Sequence, residues 1–253
     1  MKVTFLGTGT SHGVPMLGCS CPVCKSKDPR DKRYRSSLLL EKEGKVLVID
    51  TGYEFRLSLL REDVKNVDAV LYTHSHADHL AGIDDLRVFS QNKKLCIYSN
   101  EDTINYIKTH YSYAVERPAF PGIPHLTPIV LEPYKEYEIE SFTVVPLVVE
   151  HGRMTHMKIY GYRIGPLAYI TDCTYITDES FASLKGISHM IIGALRKEKH
   201  GAHFSFEEAH EAALKAGAKK IYFTHINHNT SYIEISSLYA DAESAYDGLS
   251  FEV

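Results

Sequence analysis

Short runs of apolar and β-branched residues recur along the chain, and each of them predicts a β-strand. Helical spacing of apolar residues is found between some of these runs, over Glu101–Thr109 and most clearly over Phe206–Ala216. Ser205 and Glu208 have the spacing of a capping box at the start of the second helix. The predicted strands are Val3–Leu6, Ser37–Leu40, Val46–Ile49, Ala69–Tyr72, Leu95–Tyr98, Phe142–Val149, Lys158–Tyr162, Leu167–Thr171, Met190–Ala194 and Ile221–Phe223.

The order of these elements limits the fold class. A further helix is predicted over Tyr232–Tyr246. Strand pairs without intervening helices are mixed with strand–helix alternation, which favours an α+β fold with sheets covered by helices over one parallel sheet. A chain of 253 residues can bury a sizeable core, and β-rich domains often reach this length. We therefore expect a single domain over residues 1–253.

The composition excludes several classes of protein. Hydrophobic residues make up 44% of the chain and charged residues 24%, which is ordinary for a globular protein and excludes a disordered or fibrous one. The formal net charge of −4 gives no indication of a chain built to bind nucleic acid or acidic lipid. The longest apolar runs, such as Val144–Val149, fall far short of the roughly 20 residues that cross a bilayer. Because the N-terminus also lacks a signal-peptide pattern, we expect a cytoplasmic protein without a membrane partner.

One segment differs in composition from the rest of the chain. Residues 111–134 combine aromatic residues with several prolines and form a Pro/aromatic insert. An ordered surface connection and a lid over a substrate site are both compatible with this composition, because long loops in compact domains are often functional. The prolines are Pro118, Pro121, Pro124, Pro128 and Pro133.

The strongest chemical signal is a cluster of three histidines and one aspartate directly after the predicted strand Ala69–Tyr72. His74, His76, Asp78 and His79 lie within six residues of one another. Imidazole and carboxylate groups are costly to bury without partners, so packing does not explain them. His74 and His76 are two residues apart, so their side chains point to the same side in extended backbone. The cluster predicts a metal site, in which the last two residues can bind a second ion.

The cysteines indicate a second kind of metal site. Of five cysteines, Cys19, Cys21 and Cys24 lie together in a Cys-rich N-terminal loop over about residues 12–35. An odd number of cysteines in a chain of this size favours reduced thiols and a metal over a disulfide framework. The basic residues of the same loop, such as Arg33, are expected on a solvated face.

Two of these features resemble a known family. The histidine–aspartate cluster resembles the signature of the metallo-β-lactamase superfamily. The glycine-rich opening Phe5–Pro15 and the cysteine spacing after it are similar to the branch that contains the phosphoribosyl cyclic phosphate phosphodiesterases. The resemblance implies a four-layer αββα sandwich, in which two mixed β-sheets are covered by helices and the metals lie at one edge of the sheets. The signature is His74-x-His76-x-Asp78-His79.

The resemblance also implies which residues complete the metal centre. The family has a ligand histidine after a strand in the second half of the chain. The implied residue here is His151, with His156 as the near alternative. Asp172, which position alone would make a turn or cap residue, becomes the carboxylate between two ions. The implied set is His74, His76 and His151 for the first ion, Asp78, His79 and His225 for the second, and Asp172 for both.

Other residues receive supporting roles by the same resemblance. His228 is implied as the fourth ligand of a structural zinc ion, beside the three clustered cysteines, since structural zinc prefers four ligands. Asp50 is implied as a group that orients the ligand loop, although a plain turn aspartate fits the sequence equally well. In the basic loop 195–205, His203 is the candidate general acid and His200 the alternative. Asp78 is counted among the catalytic residues as well as the ligands.

The function that the resemblance implies is hydrolysis of a small, cyclic phosphodiester by a hydroxide that bridges two divalent cations. The cations are zinc or manganese, with iron also suited to such ligands. The substrate class is a small molecule, and nucleic acid is not expected. Two alternatives stay open: a nuclease similar to the transfer-RNA 3′-processing endonucleases, and a non-hydrolytic accessory protein of cofactor biosynthesis. The sequence leaves the oligomeric state open, a homodimer included.

Overall fold

Two mixed β-sheets packed face to face form the centre of the protein. The computed structural model describes residues 1–91, 93–115 and 122–253. Within these residues the first sheet has seven strands in the order β15-β1-β2-β3-β4-β5-β6. Its strands are β1 (Lys2–Gly7), β2 (Ser37–Lys42), β3 (Lys45–Ile49), β4 (Ala69–Leu71), β5 (Leu95–Ser99), β6 (Leu126–Val130) and β15 (Ser250–Glu252).

The second sheet has eight strands within the same described ranges, in the order β11-β8-β9-β10-β12-β13-β14, with β7 paired to β8. Each sheet has an antiparallel part and a parallel part: β3 to β6 are parallel in the first sheet, and β10, β12, β13 and β14 in the second. The strands are β7 (Tyr137–Ile139), β8 (Phe142–His151), β9 (Met157–Ile164), β10 (Leu167–Ile170), β11 (Tyr175–Ile176), β12 (His189–Gly193), β13 (Lys220–Thr224) and β14 (Ala242–Ser244).

Short helices cover the outer faces of both sheets. Two 3₁₀ helices, Pro29–Asp31 and Ala81–Phe89, accompany them. Among the described helices none combines the length and the hydropathy needed to cross a membrane. The α-helices are α1 (Pro22–Lys25), α2 (Phe55–Arg61), α3 (Ala77–Leu80), α4 (Glu101–His110), α5 (Ser112–Val115), α6 (Asp178–Ser183), α7 (Phe206–Lys215) and α8 (Tyr232–Ser236).

Among the described residues, three large apolar cores lie between these layers. The central core lies between the sheets and contains Phe5 from β1 and Tyr162 from β9. A second core packs α2, α4 and the long 3₁₀ helix on the first sheet, and a third packs α7 and α8 on the second sheet. Because both faces of the central strands are buried, their sequences read as nearly continuous apolar runs. The architecture is therefore the expected α+β, four-layer αββα sandwich.

The predicted strands and the two predicted helices Glu101–Thr109 and Phe206–Ala216 are confirmed within one or two residues. The helix predicted over Tyr232–Tyr246 is wrong beyond Ser236. Ile235, Tyr239 and Ala242 have helical spacing, but the chain turns after α8 and β14 pairs in parallel with β13. Ala242 packs on the outer core and Ala245 on the central one, which are opposite faces of the sheet.

The described part of the Pro/aromatic insert contains regular secondary structure. It contributes α5 and the edge strand β6, and the proline at position 128 lies in that strand, where a missing N–H is tolerated. The prediction of a lid concerns residues 111–134 as a whole, and positions 118 and 121 lie outside the described residues. The solvated face expected for Arg33 is wrong: the side chain is buried and donates hydrogen bonds to Thr8, Ser244 and Ala245.

The capping box of α7 offers a test of the fold. Ser205 Oγ accepts a hydrogen bond from the Glu208 N–H, and the Glu208 carboxylate accepts one from the Ser205 N–H. We expect Ser205→Ala to lower the free energy of unfolding by about 1 kcal/mol, because a buried helix end loses its cap. Urea denaturation measures this loss. Glu211→Ala, at an exposed position of the same helix, is the control and should change stability by less than about 0.5 kcal/mol. Equal stability of both variants would contradict the assigned cap.

Candidate metal centre

The predicted site residues meet at one edge of the sandwich because each follows the carboxyl end of a strand. The loop His74–His79 follows β4, His151 ends β8, and Asp172 follows β10. His225 directly follows β13. Strands that run in the same direction bring their carboxyl ends to the same edge of a sheet, and ligand sites collect there. The topology therefore gathers residues that are up to about 150 positions apart in the chain.

The first ligand group consists of His74, His76, His151 and Asp172. One ligand atom from each residue lies within 4.8 Å of every other. His76 is exposed while the other three are buried, so this side of the group faces the opening of the site. His156, the alternative considered for His151, lies outside the group and pairs with Glu150 at 2.7 Å.

The second group consists of Asp78, His79, Asp172 and His225, whose ligand atoms also lie within 4.8 Å of one another. All four side chains are buried. His76 precedes α3 as its N-cap residue, so the first turn of that helix carries Asp78 and His79 into the cluster. Gly52 makes this approach possible, because a Cβ atom there would lie 2.5 Å from the carbonyl oxygen of Asp78.

Asp172 belongs to both groups, and its two oxygens face different partners. Oδ1 lies 3.0 Å from His225 Nε2 and 3.3 Å from His79 Nε2. Oδ2 lies 4.0 Å from His74 Nε2 and 3.9 Å from His151 Nε2. This is the placement expected of a carboxylate shared between two cations, which is the role that the family resemblance implies for Asp172.

Hydrogen bonds at Nδ1 orient the rings of three of these histidines. His79 Nδ1 lies 2.7 Å from Asp50 Oδ2, and His151 Nδ1 lies 2.9 Å from the carbonyl oxygen of Ala202. Thr73 Oγ1 donates to Asp50 at 2.8 Å and therefore accepts from His74 Nδ1 at 3.0 Å. With a proton on each Nδ1, the Nε2 lone pairs are free to bind a metal.

Asp50 supports the ligand loop in a further way. It is fully buried, and Oδ1 accepts the backbone N–H of Thr73 at 2.8 Å. Its position is therefore that of an orienting group rather than a plain turn residue. No feature of the sequence pointed to Thr73 or to the Ala202 carbonyl group. A backbone carbonyl cannot be found from side-chain types, and threonine is common after strands.

Two aspartates and one histidine of the site have a left-handed backbone conformation. The φ angles are +63° at Asp50, +50° at Asp172 and +56° at His225. Residues other than glycine rarely adopt this conformation, and it costs energy that the surrounding structure must supply. Such positions collect at functional sites, and here they turn the side chains into the cluster.

The donor set fits cations. In the part of the chain that the structure describes, His74 Nε2, His79 Nε2 and both ring nitrogens of His225 are buried without a hydrogen-bond partner. Each unsatisfied buried group costs about 1–3 kcal/mol, and a cation would satisfy several of them together. The chemistry of the set, imidazole nitrogens with carboxylate oxygens, suits zinc, manganese and iron.

The electrostatics of the cluster agree with this fit. Burial alone would raise the pKa of Asp172, but His225 and His79 hold it well below the usual value, so the carboxylate is ionised. Burial alone would lower the pKa of His79, but the carboxylates of Asp172, Asp78 and Asp50 raise it well above the usual value. The position of His79 therefore favours positive charge, which a cation would supply.

His203 and His200 lie beside the cluster rather than in it. His203 Nδ1 is 3.9 Å from Asp172 Oδ2, and the ring stacks on His225 with centroids 4.8 Å apart. Burial lowers the pKa of His203 to about 3. His200 stacks on the outer side of His203 with centroids 5.4 Å apart. Arg153 fixes this loop by donating to the His200 carbonyl oxygen at 3.1 Å, a role for which the sequence contains no signal.

Cys19, Cys21, Cys24 and His228 form a separate group with ligand atoms within 4.8 Å of one another. His228 Nδ1 lies 3.3 Å from Cys19 Sγ and 3.4 Å from Cys21 Sγ. A hydrogen bond from the Cys24 N–H lowers the pKa of the Cys21 thiol to about 6, while burial raises that of Cys24 to about 11. Mutual backbone hydrogen bonds between residues 8–10 and Ile226 hold the N-terminal loop against the chain that follows β13.

Comparisons with known proteins agree with the fold and the site. Residues 46–226 match the beta-lactamase superfamily domain. A crystal structure of a diphosphatase from the PhnP family has a TM-score of 0.91 and 37% identity, and the alignment covers 100% of this chain and 97% of that one.

The related proteins have names that describe different functions. The octanoyltransferase of Porphyromonas gingivalis is 35% identical over 98% of this chain and 51% of the relative, so the chain spans about half of that protein. Coenzyme PQQ synthesis protein B of Methylobacterium radiotolerans is 26% identical over 76% of this chain and 72% of the relative. Ribonuclease Z of Treponema pallidum is 27% identical over 57% of this chain and 42% of the relative. Together with the superfamily match and the fold, these similarities show that the chain belongs to the metallo-β-lactamase superfamily, in the branch of the PhnP family.

Proposed function

We propose that this protein is a dinuclear metal-dependent hydrolase that cleaves a small phosphodiester. The observation that carries the proposal is the placement of Asp172, whose two oxygens face two ligand groups of buried histidines. The diphosphatase of the PhnP family supports the choice of phosphorus chemistry. In a substituted diphosphate, as in a phosphodiester, the attacked phosphorus carries two non-bridging oxygens, so both bond types belong in a substrate screen.

The ligand set divides between the two positions. His74, His76 and His151 would hold one cation, Asp78, His79 and His225 the other, and Asp172 both. Two divalent cations bound there would lower the pKa of a water molecule towards neutrality and stabilise the charge that develops on the phosphoryl oxygens. The protein itself orients the imidazoles through Thr73, Asp50 and the Ala202 carbonyl group.

His203 is the residue that we assign to the leaving group. Its Nδ1 atom is buried and has no hydrogen-bond partner in the described residues, although it lies beside Asp172. A neutral imidazole can still donate one hydrogen bond to the departing oxygen, and an anionic phosphate nearby would favour the protonated ring. His200 is the weaker candidate, because it stacks on the outer side of His203, and it is the ring of His203 that lies beside Asp172.

The cysteine group is proposed to hold one structural zinc ion. Three sulfur atoms and His228 Nδ1 would supply four ligands, the number that a structural zinc ion prefers. Zinc there would tie the N-terminal loop to the chain after β13, beside the dinuclear centre. Loss of this ion would therefore loosen one wall of the active site.

An accessory protein of cofactor biosynthesis is the second candidate, since coenzyme PQQ synthesis protein B is a relative. The complete set of seven ligand residues favours hydrolysis, because a protein without catalysis has no need for a second cation beside Asp172. A transfer-RNA nuclease is less well supported. The net charge of −4 is unfavourable for binding a polyanion, although ribonuclease Z is also a relative.

Activity against bis(p-nitrophenyl) phosphate, cytidine 2′,3′-cyclic phosphate and ADP-ribose tests the proposal. The metal-loaded protein should hydrolyse at least one of them. Asp172→Asn keeps the shape of the side chain but cannot bridge two cations, so we expect kcat/KM to fall by more than about 10²-fold. His203→Ala should lower kcat by about 10²–10⁴-fold, and His200→Ala by less than about tenfold.

His156→Ala is the matched control, since this exposed histidine lies near the site but outside both ligand groups. Its activity should equal that of the unmodified protein. Full activity of Asp172→Asn would exclude the dinuclear mechanism, and a larger loss in His200→Ala than in His203→Ala would reverse the assignment of the general acid.

Asp50 provides a test of metal binding that needs no substrate. Asp50→Asn weakens the hydrogen bond that fixes His79, so the affinity of the dinuclear site for zinc should fall by about 10–100-fold. Competition with a coloured chelator measures this affinity. Asp63→Asn, an exposed aspartate, is the control. Unchanged zinc affinity in Asp50→Asn, with an unchanged circular dichroism spectrum, would show that Asp50 does not support the ligands.

A further inference from the structure

A cavity of about 240 Å³ lies between His203, which neighbours Asp172, and His228 of the cysteine group. His203 and His200 border it on the cluster side, and His228 on the cysteine side. No carboxylate residue lines it among the described residues. The remaining polar lining includes Ser11, Arg196, Asn227 and Asn229. The cavity therefore begins at the proposed leaving-group position and is lined by hydrogen-bond donors.

The two ring nitrogens of His228 have different surroundings. Nδ1 lies within 3.4 Å of the sulfur atoms of Cys19 and Cys21 and would be the ligand atom for the proposed zinc ion. Nε2 makes no hydrogen bond to any residue that the structure describes. A neutral imidazole that binds a metal through one nitrogen carries its proton on the other. Zinc at Nδ1 would thus fix an N–H donor at Nε2.

We infer that His228 serves both sites: it binds the structural zinc through Nδ1 and donates a hydrogen bond from Nε2 to the leaving-group half of the substrate. This inference rests on the proposed function. The fixed tautomer makes Nε2 a donor that cannot switch to accepting, so the cavity selects an oxygen acceptor at that point.

Neighbouring groups complete a donor-rich wall. Asn227 Oδ1 already accepts from the Asn229 N–H at 2.9 Å, which leaves the amide NH₂ group of Asn227 to donate. Arg196 donates from Nε and one terminal nitrogen to the carbonyl oxygens of Glu198 and Lys199, and its other terminal nitrogen makes no hydrogen bond to a described residue. The exposed carboxylate of Glu198 lies 3.8 Å from Arg196 Nε. Such a wall suits a hydroxyl-rich or phosphorylated sugar better than a nitrophenyl group, whose nitro oxygens are only weak acceptors.

The variant His228→Cys separates the two roles. Four thiolates hold structural zinc as well as three thiolates and an imidazole do, so zinc content and melting temperature should stay close to those of the unmodified protein. The donor, however, is lost. We expect kcat/KM for cytidine 2′,3′-cyclic phosphate, relative to that for bis(p-nitrophenyl) phosphate, to fall about tenfold, mainly through KM. Leu17→Ala, an exposed position on the same loop, should leave this ratio unchanged.

Binding of cytidine 3′-monophosphate gives a readout that does not depend on turnover. Isothermal titration calorimetry with the metal-loaded protein should show about tenfold weaker binding in His228→Cys. In the unmodified protein, the Nε2–H resonance of His228 in long-range ¹H–¹⁵N spectra should shift when the nucleotide is added. An unshifted resonance, or an unchanged ratio and affinity in a variant that retains zinc, would overturn the inference. Nucleotide binding with these properties but without hydrolysis of any substrate would instead contradict the proposed function alone.

Discussion

A buried carboxylate surrounded by imidazoles is the constraint on which the rest of this structure depends. Asp172 is almost fully buried, and the ring nitrogens of five histidines lie within 4.0 Å of its two oxygens. An ionised group cannot stay in such a place unless positive charge compensates it. The strand ends, the left-handed backbone positions and the hydrogen bonds to each Nδ1 all bring donors to this one carboxylate.

The sandwich provides the rigidity that this arrangement requires. Ligands come from both sheets, so the sheets must keep a fixed relative position. Tyr162 of β9 donates to the carbonyl oxygen of Tyr72 at 2.6 Å, and Tyr160 N donates to that of Thr73 at 3.0 Å. These bonds cross from the second sheet to the chain immediately before the first ligand. The central core thus positions the metal centre as well as stabilising the fold.

The sequence predicted the parts of the structure that depend on residue type and spacing. Strands buried on both faces appear as apolar runs, and the His74–His79 cluster is too dense in ligand groups to be packing. Features that depend on distant contacts were not predictable. Arg33 is buried because its partners come from residues 244 and 245 and from Thr8. Ala242–Ser244 is a strand only because β13 lies beside it. The carbonyl group that fixes His151 belongs to Ala202, in a loop without a ligand motif.

Metal counting on freshly purified protein tests the central claim most directly. Inductively coupled plasma mass spectrometry should find about three metal ions per chain, two for the groups that share Asp172 and one zinc for the cysteine group. In Asp172→Ala the count should fall to about one, because the shared carboxylate is gone while the cysteines remain. About one ion per chain in the unmodified protein, even after incubation with zinc or manganese, would contradict a dinuclear centre built around Asp172.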